Sequence, residues 1–124
     1  MNYEQSLEQA VVYIENHLGD PLTVEGVARH AGYSYYHLTR VFSALLGESV
    51  GSYIKKRRLS NGARELLYTD RRIIDIAISH GFESSEAFSR AFKSVYHVSP
   101  IKYSQNRLEL FISSKPKMDQ LMLA

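Results

Sequence analysis

The sequence predicts an all-α protein built from small helical units. Two observations carry that prediction. Apolar residues recur at three- and four-residue spacing along nearly the whole chain, and no run alternates apolar and polar as a half-buried strand would. The chain also repeats itself, with a short helix, a glycine turn and a longer amphipathic helix occurring twice. Its 124 residues suit one domain or two very small ones, and separate halves of that size would be marginal.

Each element has its own signal. Leu7, Val11, Ile14 and Leu18 share one face of a first helix, which Gly19-Asp20-Pro21 stops. Thr23 can cap a short helix holding Val24, Val27 and Ala28, ending near Ala31-Gly32. Ser34 can cap the next, whose apolar face is Leu38, Val41, Phe42 and Leu45, and Gly47 suits its left-handed end. Ser49 opens a longer helix through Tyr53, Ile54, Ala63, Leu66 and Leu67. Gly62 inside it costs about 1 kcal/mol relative to Ala. Thr69-Asp70 breaks that helix, and a short one with Ile73, Ile76 and Ala77 follows, ending at His80-Gly81. Another runs from about Ser85 with Phe88, Phe92 and Val95. Ser99-Pro100 places a cap before a proline at the first helical position, opening a last helix through Tyr103 and Leu108. Ser113-Ser114-Lys115-Pro116-Lys117 has the composition of a linker.

Composition removes several function classes. With no cysteine there is no disulfide framework, zinc finger or thiol nucleophile. The histidines (His17, His30, His37, His80, His97) contain no H-x-x-x-H pair, so no metal or other cofactor is expected. No apolar run reaches the ~18 residues of a membrane span, and MNYEQSLEQA lacks a signal peptide's basic start. A soluble, cytoplasmic, nucleoid-associated protein with no membrane partner is the expectation. The formal net charge of +2 hides a polarised chain. Residues 1–28 hold five acids and no Lys or Arg, whereas residues 29–72 hold nine bases against three acids. That basic middle is a candidate footprint for an anionic partner; a solvated basic run, Lys55-Lys56-Arg57-Arg58, is the plainer alternative.

The repeat is the strongest signal. Val24, Val27, Ala28, Gly32 and Tyr33 recur as Ile73, Ile76, Ala77, Gly81 and Phe82, at an offset of 49. Leu38, Arg40, Phe42, Ser49 and Tyr53 recur as Phe88, Arg90, Phe92, Ser99 and Tyr103, at an offset of 50. This is the organisation of a helix-turn-helix, whose second helix enters the DNA major groove. The alanines are small where two helices cross, and the glycines permit the turn. The outer face of the first recognition helix carries Tyr35, Tyr36, Thr39, Arg40 and Ser43. Arg is shaped for a bidentate contact to guanine, and a tyrosine ring suits a thymine methyl or a phosphate. The equivalent face of the second copy carries Ser85, Glu86, Ser89 and Arg90; a glutamate there repels phosphate but can accept from cytosine N4. An internal ion pair is the structural alternative for Arg40 and Arg90.

The strings VARHAGYSYYHLTRVFSALLGESVGSYIKKRRL and IAISHGFESSEAFSRAFKSVYHVSPIKY resemble the DNA-binding domain of the AraC/XylS family of transcription regulators, its MarA/SoxS/Rob-like members in particular. The resemblance covers roughly residues 5–108. It implies seven helices in two helix-turn-helix subdomains of homeodomain-like three-helix type. The first unit would span about 5–48 and the second about 71–108, joined by a bridging helix at about 50–68, with 109–124 as a tail or linker. It implies sequence-specific binding of double-stranded DNA, with helices at about 35–45 and 85–95 in adjacent major-groove segments, and bending of the DNA to meet both. Base-reading positions carry over as Tyr36, Thr39 and Arg40, then Ser85, Glu86, Ala87, Ser89 and Arg90. Candidate backbone contacts are Ser34, Tyr35, Lys55, Lys56, Lys93 and Lys102. The MarA-like group often has tryptophan and glutamine where Tyr36 and Thr39 stand, and paired glutamines in place of Ser85-Glu86, so a different target sequence is implied. His97 stands where the second copy commonly has glycine. Activation of transcription through RNA polymerase is the commoner role in such a family. A monomeric fragment, with an effector domain after it in a longer chain, completes the expectation.

Two rival readings are weaker. Gly47-Glu48-Ser49-Val50-Gly51 matches G-x-S-x-G, but a nucleophile elbow needs a strand and a parallel sheet before its serine, so no enzyme is expected. A helical protein–protein interaction module without specific DNA binding would use the aromatic surface of the nine tyrosines.

Overall fold

Seven helices form in the order the caps and breakers dictate: α1 (Tyr3–Asn16), α2 (Val24–Ala31), α3 (Tyr35–Leu46), α4 (Val50–Tyr68), α5 (Ile73–Ser79), α6 (Ser85–Tyr96) and α7 (Pro100–Gln105). The structure, a computed structural model, describes residues 3–105. The expectations for Leu108, for the 113–117 linker and for the 109–124 tail lie outside the described residues, which contain no strand.

The capping chemistry is local and works as the sequence suggests. The Thr23 hydroxyl accepts from the Gly26 amide at 3.0 Å, and Ser34 from His37 at 3.1 Å. Ser49 and Ser99 cap α4 and α7 in the same way, accepting from Ser52 at 3.0 Å and Lys102 at 3.2 Å. One helix starts where expected, at Ser85, on a cap that the sequence reading did not name. The cap of α6 is Ser84, which accepts from the Ala87 amide at 3.0 Å, so Ser85 is the first helical residue.

The chain forms two compact units, divided within α4 between Asn61 and Gly62, with residues 79–81 grouping with the first. In the first unit Leu7, Ala10, Ile14 and Leu18 pack with Val27, Ala28, Ala31, Leu38, Phe42, Val50 and Ile54. A bidentate ion pair ties α1 to α4: Arg57 Nη2 donates to Glu15 Oε1 at 2.9 Å and Arg57 Nε to Glu15 Oε2 at 3.0 Å, while the Tyr53 hydroxyl donates to Oε2 at 3.1 Å. The hydrogen bond from Arg57 holds the Glu15 carboxyl below the usual range, against partial burial, which pushes it up. Arg58 donates to the backbone carbonyls of Leu18 at 2.9 Å and Asp20 at 2.7 Å, sealing the end of α1. Gly81, at φ 85°, sits against this guanidinium; a Cβ there would come within 2.8 Å of Arg58 Cζ.

The second unit buries Ala63, Leu66, Ile76, Ala77, Phe88, Ala91, Phe92 and Pro100. Gly62 has a packing reason that periodicity does not reveal, since a Cβ would lie 2.9 Å from Phe88 Cε1. Phe82, Phe88, Phe92, Tyr96 and Tyr103 form a chain of rings with centroids 4.5 to 5.7 Å apart. Burial raises the Tyr103 phenol pKa, as do Tyr96 and Tyr68 nearby.

Two predicted core residues are not core. Leu45 and Val95, equivalent in the repeat, are 52% and 40% exposed. Each lies in the last turn of its helix, beyond the deeply buried Phe42 and Phe92, where the helix has run past the residues that cover it.

Candidate nucleic-acid interface

Each unit holds one helix by its inner face and presents the other face to solvent. In the first, Leu38 and Phe42 are fully buried, which fixes the roll of α3. The turn before it is closed by the Tyr33 amide, which donates to the Ala28 carbonyl at 2.8 Å across Gly32 in the left-handed region. With that roll set, Tyr36 and Arg40 both lie on the exposed face. Tyr36 is 68% exposed, and Arg40 Cζ lies 5.6 Å from its ring centroid. The half-buried Thr39 donates its hydroxyl to the Tyr35 carbonyl at 2.9 Å, which leaves its methyl group and oxygen lone pairs for a ligand. Ser34 and Tyr35 are exposed at the start of the same helix.

In the second unit Phe88 and Phe92 fix α6, and the Phe82 amide donates to the Ala77 carbonyl at 3.0 Å across Gly81. Glu86 and Arg90 are exposed; Ser85, Ala87 and Ser89 are half-buried beside them. Glu86 stands in the first turn, where a carboxylate suits the positive end of the helix. Among the described residues the ion pairs are Lys56–Glu48, Arg57–Glu15, Arg71–Glu65 and Arg72–Asp75, so neither Arg40 nor Arg90 is spent on an internal one.

The sequence-predicted residues thus gather as two sets. Ser34, Tyr35, Tyr36, Thr39 and Arg40 lie on α3, and Ser85, Glu86, Ala87, Ser89 and Arg90 on α6 with Lys93 two turns along. Lys55 is exposed in α4 and Lys102 in α7. Lys56 is also exposed but reaches Glu48 at 3.7 Å, so part of its charge is answered locally. The basic run is therefore two different things. Lys55 and Lys56 face solvent, whereas Arg57 and Arg58 are turned to Glu15 and to the end of α1. Arg71 and Arg72 likewise pair with Glu65 and Asp75. The basic middle offers fewer uncommitted charges than its count suggests.

Sequence reasoning missed the cap at Ser84, although a signal existed: the offset of 50 aligns Ser34 with Ser84, not Ser85. Ser49 of the G-x-S-x-G string has its hydroxyl on the Ser52 amide, and Gly47 before it is the left-handed end of α3 at φ 73°. Among the described residues no three His, Asp or Glu side chains cluster as metal ligands, and no helix is long and apolar enough to cross a membrane.

A helix-turn-helix domain family matches residues 27–106. The chain is 44% identical over 115 residues to the uncharacterized HTH-type transcriptional regulator YbfP of Bacillus subtilis, covering 93% of this chain and 39% of that protein. It is 40% identical over 100 residues to the transcriptional regulator Rob of Salmonella typhimurium, covering 81% of this chain but only 35% of Rob. With the regulatory protein SoxS of Salmonella typhimurium it shares 36% identity over 103 residues, covering 83% of this chain and 96% of SoxS. Among solved structures, the DNA-binding domain of AdpA in complex with a target DNA superposes with a TM-score of 0.80 at 25% identity, covering 85% of this chain and 96% of that one.

Proposed function

The chain belongs to the AraC/XylS family of helix-turn-helix transcription regulators, and from that premise we propose that residues 5–108 bind double-stranded DNA sequence-specifically through the exposed faces of α3 and α6. One observation carries the assignment of the faces. Arg40 and Arg90 occupy equivalent, solvent-facing positions on the two helices, and neither enters an ion pair among the described residues. A guanidinium so placed suits the O6 and N7 acceptors of guanine. Thr39 joins Arg40 in reading the first box, where Tyr36 takes part through its ring contact with Arg40; Ser85, Glu86, Ala87 and Ser89 join Arg90 in reading the second. Ser34, Tyr35, Lys55, Lys56, Lys93 and Lys102 contact phosphate. The domain acts from the cytoplasm on promoter DNA as an activator through RNA polymerase, and in a longer chain an effector domain follows it.

The test is selection of duplexes from a random library at stated salt, followed by affinity measurements across a salt series. Enrichment of a site with two boxes about one helical turn apart, bound with a steep salt dependence, is expected. No enrichment at any salt, with apolar protein contacts unaffected by salt, would replace this reading with a protein-interaction module.

A further inference from the structure

We propose that Tyr36 is a positioning residue: its ring holds the Arg40 guanidinium on the exposed face of α3 and thereby sets how sharply Arg40 selects its base. The inference rests on the reading of α3 as a DNA-reading helix and adds a division of labour within it. Tyr36 and Arg40 are four apart on one helix, so their side chains meet along the surface. The 5.6 Å from Arg40 Cζ to the ring centroid lies within the ~6 Å range of a cation–π contact. An exposed arginine otherwise has the rotamer freedom of a long, unbranched side chain, and binding DNA must remove it. A ring contact of this kind uses none of the guanidinium's N–H donors as a hydrogen bond, so it orders the side chain without spending the groups that read a base. Such ordering before binding adds to affinity only where the ordered geometry matches the ligand. It therefore sharpens discrimination more than it strengthens binding to DNA at large.

The second unit supplies the internal contrast. There the equivalent of Tyr36 is Glu86, which offers no ring to Arg90, and no ion pair joins the two. Arg40 is ordered in the free protein by a neighbour that Arg90 lacks.

The experiment compares the wild-type chain with Tyr36→Leu, Tyr36→Phe, Arg40→Ala and the double variant Tyr36→Leu/Arg40→Ala. The probes are the duplex recovered by selection with the wild-type chain and a duplex altered at the base pair whose preference Arg40→Ala removes. Circular dichroism checks that each variant keeps its helix content. Tyr36→Leu should lose about two- to fivefold in discrimination between the two duplexes, in keeping with an exposed cation–π contact. Restoring the ring with phenylalanine should restore that discrimination. In the Arg40→Ala background, the leucine substitution should change nothing further at that base pair. A leucine effect that persists without Arg40, a phenylalanine variant as poor as leucine, or a uniform loss on both duplexes would overturn the proposal, because each means that Tyr36 touches DNA on its own account. A wild-type chain that prefers no duplex at all would instead sink the DNA reading itself.

Discussion

At their inner positions the two helix-turn-helix units are nearly interchangeable. Val27 and Ile76, Ala28 and Ala77, Phe42 and Phe92 are each at most 1% exposed, and the Tyr33 and Phe82 amides close the same turn. At their outer positions the units part company. Tyr36 has Glu86 as its counterpart in the repeat, and the charged residues Glu25 and Arg29 of α2 are replaced on α5 by Ile74 and Ile78, 47% and 54% exposed. The difference separates two kinds of constraint. A close-packed interior accepts only side chains of similar volume, so the inner positions stay alike in both copies. Outer faces carry no such restriction. Against that background the match of Arg40 with Arg90 is the exception, since no packing demand holds an exposed arginine in place.

The strongest way to break this comparison is to remove the two arginines one at a time. Arg40→Ala should cost about 1–3 kcal/mol on the preferred duplex and relax selection at one base position. Arg90→Ala should cost less, because Arg90 works beside a carboxylate and without a supporting ring. The measurement is affinity on the selected duplex and on its single-base variants. An equal loss for Arg40→Ala on every duplex would make it a phosphate contact, and a larger loss at Arg90 would reverse the ranking of the two units.

What the sequence revealed follows the range of the forces involved. Helix starts were legible at Thr23, Ser34, Ser49 and Ser99 because a cap is a contact between residues three apart. The exposed faces of α3 and α6 were legible because a repeat exposes what periodicity alone leaves ambiguous. Contacts between residues distant in the chain were not. Gly62 reads as a weak spot in a helix until Phe88 is found against it. Arg57 and Arg58 read as surface charge until Glu15 and the carbonyls of Leu18 and Asp20 are placed beside them. Leu45 and Val95 fit the apolar stripe, yet periodicity does not say where the neighbouring helices stop covering it.

The comparison sharpens next at the ends of the two recognition helices. Both end in the left-handed region, Gly47 at φ 73° and His97 at φ 66°. Glycine takes that conformation freely; any other residue is strained there by its Cβ. Equivalent positions should therefore respond with opposite signs. His97→Gly should raise stability by about 1 kcal/mol, and Gly47→His should lower it by a similar amount. Space does not enter at Gly47, because a Cβ there meets nothing within 4 Å. Urea midpoints of the two variants decide the matter. A neutral His97→Gly would mean that the imidazole makes a compensating contact.

The smallest effect concerns how the equivalent tyrosines are held. Both set a ring edge against the equivalent core phenylalanine, Tyr53 5.7 Å from Phe42 and Tyr103 5.2 Å from Phe92, but Tyr53 also donates to Glu15, whereas Tyr103 has a second ring, Tyr96, at 5.7 Å. One anchorage depends on a carboxylate and the other does not. The Arg57 hydrogen bond depresses the folded pKa of Glu15, outweighing desolvation. A carboxyl with a lowered folded pKa binds fewer protons folded than unfolded across that window. Its contribution is therefore complete above the unfolded value, and falls away as pH drops through the folded one. Both partners keep about a third of their side-chain surface in solvent, 33% for Glu15 and 34% for Arg57, so screening limits the contribution to below about 1 kcal/mol. Glu15→Gln should remove this share of the acid sensitivity: its urea midpoint should lie below wild type at neutral pH and converge with it in the acid range. Tyr103→Phe keeps the ring and removes only the hydroxyl, so its offset from wild type should stay constant over the same acid range. A Tyr103→Phe offset that tracked pH as Glu15→Gln does would show that both anchorages answer to the same titration, and the contrast between the units would be lost.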